Sequence, residues 1–307
     1  MRIIITGGSG LIGRALTENM AKDGNEVVIL SRTPEKVTGL PQGAVAVAWD
    51  ARSPAGWQHL VDGADVIINL AGENLKGKGL FPRRWTKRRK QLIRQSRLDA
   101  GKEVAEAVRQ AARKPRLLVQ ASAVGYYGTH GNDPVTEVTP PGSDFLANLC
   151  LDWENSTSEV EVLGVRRVIL RTGLPLTLVG GSFPSLLLPF RLFVGNTFGS
   201  GKQFYPWIHF EDYIAAIRFL IDDPKSSGPY NLSAPNPVTN REFARTLGRV
   251  THRPAFFPIP RFALEIAFGE VASVVMDGQR MLPTRLQVAG FDFRFANLEP
   301  ALKQLLQ

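Results

Sequence analysis

Three glycines at the start of the chain have the type and spacing to hold a phosphate. Residues 1–13 read MRIIITGGSGLIG, with Gly7, Gly10 and Gly13 three apart. An apolar run, Ile3-Ile4-Ile5, precedes them, and a helical pattern resumes at Leu11. This order predicts a buried strand, a turn free of side chains, and a helix opened by Leu11, Ile12 and Gly13. Free N–H groups and the positive end of the helix dipole then meet an anion, and Gly13 lets the helix lie close on the strand. Glycines in this setting point to a dinucleotide. The bland alternative is a strand–turn–helix that uses glycine only for its backbone freedom.

The next apolar run, EVVIL at 26–30, bears on which dinucleotide. An acid at its end accepts from the adenosine ribose hydroxyls of NAD. Here the chain has Ser31-Arg32-Thr33, with Lys36 one turn on and Glu35 nearby. Arg32 has the charge and fork geometry to grip a 2′-phosphate, and Ser31 can donate to it. The expected cofactor is NADP(H), against an Arg32 merely solvated at a strand end. Asp50 either accepts from the adenine amino group or stabilises the turn before Ser53-Pro54. Asn69-Leu70-Ala71-Gly72 supplies small residues that let backbone approach a ligand, or an Asn69 that braces neighbouring strands.

Hydroxyl groups gather further on. Ser122 is placed to hydrogen-bond a substrate carbonyl. Tyr126 and Tyr127 follow in the next loop, and either phenol can donate a proton. Without a nearby cation such a phenol stays near ~10 and is a poor base at neutral pH. His130 and Asp133 share the loop, and for each of these residues packing or turn formation is the alternative. Cys150 reads as a small buried helix residue rather than a nucleophile. His209 reads as a brace for the loop before Asp212. Four scattered histidines and one cysteine suggest no metal site.

These residues need a frame. Apolar runs predict strands at 1–6, 26–30, 44–49, 65–70, 116–121 and 165–170, with helices at 11–23, 85–114 and 145–163. Val104, Ala107, Val108 and Ala111 give the second helix an apolar stripe, and Pro115 ends it. Strands alternating with helices imply an α/β fold, a Rossmann-like doubly wound parallel sheet with helices on both faces. Ligands in such sheets sit beyond the carboxyl ends of the strands, where the residues above fall. The cofactor-binding domain is expected over 1–172. A smaller mixed substrate-side lobe is expected over 173–307, with helices at 210–221, 240–250, 260–268 and 298–306 and some segments returning to the sheet.

Composition narrows the setting. At 44% hydrophobic and 21% charged, the 307 residues read as an ordinary soluble globular chain. One cysteine excludes an intramolecular disulfide, so a reducing, cytoplasmic location is expected. The first apolar run is too short for a signal peptide, and no stretch is long and apolar enough to span a membrane. Much of the +9 formal charge lies in Lys76, Lys78, Arg83, Arg84, Lys87, Arg88, Arg89, Lys90, Arg94 and Arg97. The mixed charge elsewhere, and the lack of any nucleic-acid-binding motif, favour a solvated helix face beside an anionic-ligand site over a nucleic-acid partner.

The motifs taken together resemble the extended short-chain dehydrogenase/reductase superfamily, which includes the nucleotide-sugar epimerases and dehydratases. TGGSGLIG resembles its TGxxGxxG turn, NLAG its N-x-A-G, and Ala121-Ser122-Ala123 the serine-bearing end of its fifth strand. Trp207-Ile208-His209-Phe210-Glu211-Asp212 resembles its late (F/W)IHxxD element. More closely, INLAGEN, SAVGYYG, LLPFRL, PWIH and FGEVASVVMDGQRMLPTRLQVAGFDF resemble epimerase-family proteins of the YfcH type, over essentially the whole chain. The resemblance implies an NADP(H) site in which Ser31 and Arg32 face the 2′-phosphate and Leu70 and Ala71 the middle of the cofactor. Arg97 then reaches the pyrophosphate, and Pro175 flanks the nicotinamide. It also implies a Tyr-x-x-x-Lys pair on the helix after the fifth strand, whose lysine lowers the tyrosine pKa for proton transfer. That helix reads Asp144-Phe145-Leu146-Ala147-Asn148-Leu149-Cys150, with Leu146 in the tyrosine slot and Cys150 in the lysine slot, or Phe145 and Leu149 one residue earlier, and neither register supplies a phenol or an ammonium.

The expected function is an NADP(H)-binding protein of this type, an oxidoreductase or epimerase acting on a carbonyl or nucleotide-linked substrate. Arg191, Lys202 and the basic run are available to hold an anionic substrate. The alternative is a catalytically silent protein that uses NADP(H) as a structural or redox-sensing ligand. In the resembled family two long helices commonly pair between subunits. The basic opening half of the first argues against close packing there, so a monomer and a homodimer both fit.

Overall fold

Ile3, Ile4 and Ile5 expose no surface, and a strand buried on both faces belongs inside a parallel sheet. The computed structural model describes residues 1–53, 55–77, 83–255 and 257–306, with only the backbone of Phe257. Pro54 and Lys78 lie outside the described residues. The main sheet has seven strands: β1 (Arg2–Thr6), β2 (Glu26–Ser31), β3 (Ala44–Ala48), β4 (Val66–Asn69), β5 (Leu117–Ala123), β6 (Arg166–Thr172) and β7 (Gly228–Leu232). They run in the order β7-β6-β5-β4-β1-β2-β3, every pairing parallel. This is the Rossmann-like α/β fold.

Helices of eight or more residues are α1 (Leu11–Lys22), α2 (Lys87–Gln110), α3 (Phe145–Asn155), α4 (Phe183–Arg191), α5 (Phe210–Asp222), α6 (Asn240–Thr251), α7 (Arg261–Phe268) and α8 (Leu298–Leu306). Strand alternation sorts them into layers. Ile3 and Ile5 pack with Leu16 of α1 and with Ile217 and Leu220 of α5. Ile4 and Leu118 pack on the other side, with Val104 and Val108 of α2. A third cluster, holding Phe183, Trp207, Phe243 and Leu302, forms the core of the C-terminal part. From β1 the chain steps outward through β2 and β3, then crosses to β4 on the other flank. The carboxyl ends of β1 and β4 therefore bound the crevice where such sheets take ligands.

Two helix boundaries differ from the sequence expectation. The segment over 145–163 is not one helix, because Ser156, Thr157 and Ser158 turn their hydroxyls onto the carbonyls of Trp153, Glu154 and Asn155. These local bonds compete with the helical ladder, which resumes only as the short turn Glu159–Val162. The helix expected over 85–114 runs only from Lys87 to Gln110. Beyond it the Arg113 amide donates to Asp62 at 2.7 Å and its carbonyl accepts from Gly63, which draws the chain away before Pro115. Strand β7 returns to the sheet from the C-terminal part, and Pro229 is tolerated in it because β7 is an edge strand.

Candidate functional site

The glycine turn follows β1 directly. Gly7 holds φ +67, and a Cβ there would come within 3.1 Å of the Leu70 carbonyl. At Gly13 a Cβ would sit 2.4 Å from Gly8 Cα and 2.7 Å from the Gly7 oxygen. Both contacts are with backbone, which cannot give way, so the close packing requires glycine. Gly10 is different: a Cβ there would meet only the Gly7 oxygen, at 3.2 Å. Gly10 is also the N-cap of α1 and offers no side chain to the first-turn amides. An open space at an uncapped helix N-terminus suits a diphosphate.

Neighbouring strand ends are locked to this turn. Thr6 Oγ1 donates to Asn69 Oδ1 at 2.6 Å and accepts from the amides of Leu70 and Ala71, at 3.1 and 3.2 Å. Asn69 Nδ2 donates to Gln120 at 2.9 Å, and Gln120 donates to the Ala121 carbonyl at 2.7 Å. Asn69 thus braces β1, β4 and β5 and fixes the Leu70-Ala71-Gly72 backbone beside the glycines. Thr6 and Gln120, which complete this brace, carried no separate signal in the sequence.

Arg32 is exposed at the end of β2, and no hydrogen bond or ion pair engages its guanidinium among the described residues. Buried Ser31 accepts from the Thr33 amide at 3.2 Å, so its hydroxyl hydrogen remains available. Asp50 takes the turn arrangement, accepting from the Arg52 and Ser53 amides at 2.9 Å. These amides hold its carboxyl below the usual range, Arg52 first.

Arg97 lies against the loop after β4. It is 8% exposed, donates to the Glu73 and Ile93 carbonyls at 3.0 Å, and stacks on Trp153 at 4.7 Å. No carboxylate pairs with it among the described residues, and burial lowers its pKa to about 10. A buried guanidinium without a counter-ion, packed against Gly72, fits a phosphate ligand. A Cβ on Gly180 or Gly181 would lie 3.6 Å from the Leu11 side chain, so the loop after Leu174–Leu176 leans on the start of α1. Within Leu174–Leu176, Pro175 pairs in register with Ile208.

The hydroxyl residues form a different structure. Ser122 donates to Glu154 Oε1 at 2.6 Å. Arg171 clamps the same carboxylate with two bonds of 3.0 Å, and also donates to Tyr127 at 3.1 Å. Tyr127 exposes no surface and donates to Asn231 at 2.6 Å. Burial pushes its phenol up to about 12 despite Arg171. The expectation of no cation near these tyrosines is thus corrected: the Arg171 guanidinium lies 3.4 Å from the Tyr126 ring centre and 5.2 Å from that of Tyr127. Tyr126 alone of the three has a hydroxyl with no hydrogen bond among the described residues.

The tyrosine and lysine slots of α3 are filled by packing. A Cβ on Gly125 would lie 3.0 Å from Leu146 Cβ and 3.8 Å from the Cys150 sulfur. The Val124–Tyr127 turn therefore rests on both slots. Cys150 is buried, and burial pushes its thiol up to about 12, which makes it inert as a nucleophile. His130 and Asp133 are joined only through a backbone bond, Asp133 amide to His130 carbonyl, at 3.1 Å. His209 braces, as expected: Nδ1 accepts the Glu211 amide at 3.2 Å, so Nε2 carries the hydrogen shared with Gln304 at 2.8 Å.

The basic run is largely engaged. Arg89 pairs with Glu73 at 2.8 Å, Lys90 with Glu270, and Arg94 with Asp152, while Lys76 donates to Ser185 at 2.8 Å. Arg84 donates to the carbonyls of Ile266 and Ala267. Lys76, Arg84 and Lys90 therefore tie the start of α2 and the segment before it to the C-terminal part, while Arg89 and Arg94 are held by Glu73 and Asp152.

Known proteins share this layout. The NAD dependent epimerase/dehydratase family matches residues 3–233, and a domain of unknown function (DUF1731) matches residues 259–305. The chain is 38% identical to the epimerase family protein YfhF of Bacillus subtilis, over 100% of this chain and 98% of that one. The structure of human epimerase family protein SDR39U1 with NADPH matches with a TM-score of 0.86 at 32% identity, covering 99% of both chains. A nucleoside-diphosphate sugar epimerase from Corynebacterium glutamicum matches with a TM-score of 0.79 at 33% identity, covering 100% of this chain and 58% of that one. With its glycine turn, braced strand ends and family match over three quarters of its length, the chain belongs to the NAD dependent epimerase/dehydratase family, of the extended short-chain dehydrogenase/reductase type.

Proposed function

We propose that the chain binds NADP(H) and uses it in an oxidoreductase or epimerase reaction on a carbonyl or nucleotide-linked substrate. The observation that carries the cofactor choice is Arg32, exposed and unpaired at the end of β2, where an NAD site would present an acid. Ser31 beside it retains a hydroxyl hydrogen for the same phosphate. The similar human protein, crystallised with NADPH, supports the same choice.

Bound cofactor supplies a hydride acceptor or donor. The protein must then hold the substrate and move a proton. Ser122 is committed to Glu154 and Tyr127 to Asn231. Tyr126 is left as the proton-transferring group, its ring seated on Arg171. Arg97 and the α1 N-terminus hold the diphosphate, and the Thr6–Asn69–Gln120 brace fixes the backbone that approaches the cofactor.

NADPH oxidation across a panel of carbonyl compounds and nucleotide sugars tests the reaction. Tyr126→Phe is expected to lower turnover on the order of a hundredfold while leaving the cofactor-induced thermal shift intact. A second reading, a catalytically silent NADP(H)-binding protein, is favoured by the filled α3 slots under Gly125. Tight NADPH binding with no turnover of any panel member would decide for it.

A further inference from the structure

A second concentration of charge lies on α6, in the C-terminal part. Arg241, Arg245 and Arg249 recur every four residues, so they share one helix face, spaced about 6 Å apart along the axis. Phe243, Ala244 and Leu247 turn the opposite way, into the third core cluster. The helix ends at His252 in the left-handed conformation, φ 54, and the chain doubles back to bring Arg253 alongside. A Cβ on Gly248 would meet the Arg253 carbonyl oxygen at 2.8 Å, so glycine allows this close return. With Thr197 and Pro258, these basic residues wall a cavity of about 960 Å³.

No carboxylate lines this cavity among the described residues. Glu299 reaches Arg249 at 2.9 Å but is shared with Lys303, also at 2.9 Å. Arg241 donates to the Ser200 carbonyl at 2.7 Å and Arg253 to the His252 carbonyl at 3.3 Å, contacts that leave both charges uncompensated. Arg245 makes no hydrogen bond or ion pair among the described residues. Four guanidinium groups around one open cavity form a strong positive field.

Phe193 adds an aromatic face. It holds φ +63, a strained conformation for a bulky side chain, and remains 56% exposed. The Arg253 guanidinium lies 4.2 Å from its ring centre, which ties the ring to the cavity wall. Nothing in the dinucleotide site uses these residues.

We propose that this cavity binds a nucleoside polyphosphate. The arginine row takes the phosphates through forked, charge-assisted hydrogen bonds, and the exposed Phe193 ring stacks the base. The site shares no residue with the glycine turn, so it stands whether or not the cofactor is NADP(H).

Isothermal titration of the full chain with ATP, with inorganic tripolyphosphate and with a single-stranded oligonucleotide tests it. The double variant Arg245→Glu, Arg249→Glu is expected to weaken ATP and tripolyphosphate by about tenfold or more, with its melting temperature showing that the fold is kept. Phe193→Ala is expected to weaken ATP while leaving tripolyphosphate unchanged. ATP affinity that ignores the arginine substitutions would place the ATP in the glycine turn and overturn the proposal. So would an oligonucleotide that binds more tightly than ATP and is lost in the same double variant, because the surface would then serve nucleic acid.

Discussion

Ser122 donates its hydroxyl to Glu154 Oε1 at 2.6 Å, and that same oxygen accepts Arg171 Nε at 3.0 Å. A serine at the carboxyl end of the fifth strand is thereby turned inward, onto a buried ion pair. Ser122→Ala should cost about 1.5–3 kcal/mol of stability, the range for a hydrogen bond to a charged group. Glu154→Ala should cost about 3–5 kcal/mol, because it leaves Arg171 buried and uncompensated. Urea unfolding measures both. If Ser122→Ala instead abolished turnover at unchanged stability, the serine would be a reacting group.

Gly13 carries the turn more than any side chain does. Gly13→Ala places a methyl group 2.4 Å from Gly8 Cα, and the backbone there must open to admit it. The variant should lose the thermal shift given by NADPH while keeping the seven-stranded sheet, read from circular dichroism. Undiminished NADPH binding would mean that the diphosphate does not sit against this turn.

The C-terminal segment is fastened through His209 and Asp212. His209 caps α5, bonds Gln304 and packs at a tilt against Phe295 with ring centres 4.0 Å apart, while Asp212 accepts the Arg294 and Phe295 amides. Burial lowers the His209 pKa below 6.5, so the folded state favours the neutral ring. The unfolded state then binds the extra proton, and stability falls as pH drops below about 6.5. Asp212 is raised by burial above 3.8 and acts in the opposite sense, its contribution being lost as pH rises through a lower range. His209→Asn keeps an acceptor for the Glu211 amide and should flatten the melting temperature between pH 5 and 6.5. An unchanged acid slope would assign it to another group.

Much of the fold was legible because its signals are local. The apolar runs ending in Thr6, Ser31 and Asn69 are each a strand followed by a ligand-facing loop, and all six strands expected from such runs are present in the sheet. The glycine turn was readable for the same reason, since Gly7 and Gly13 act through backbone geometry at known offsets from the strand. What escaped depends on contacts distant in sequence. Arg171 on β6 gave no sign that it would pair with Glu154 on α3 or lie beneath Tyr126. Strand β7 was hidden by Pro229, and the helix break at 156–158 by an apolar pattern that continues through hydroxyl residues. The pairing of Lys90 with Glu270 joins residues 180 apart, so the basic run looked more solvent-facing in sequence than it is in the fold.

The most direct measurement concerns Arg32. Thermal shifts of the wild-type chain with NADPH and with NADH, and of Arg32→Ala with both, separate the two cofactors by the 2′-phosphate alone. If Arg32 selects that phosphate, NADPH stabilises the wild type more than NADH does, and the substitution erases the difference while the sheet stays folded. Equal shifts from both cofactors in the wild type, or a preference for NADPH that survives Arg32→Ala, would contradict it.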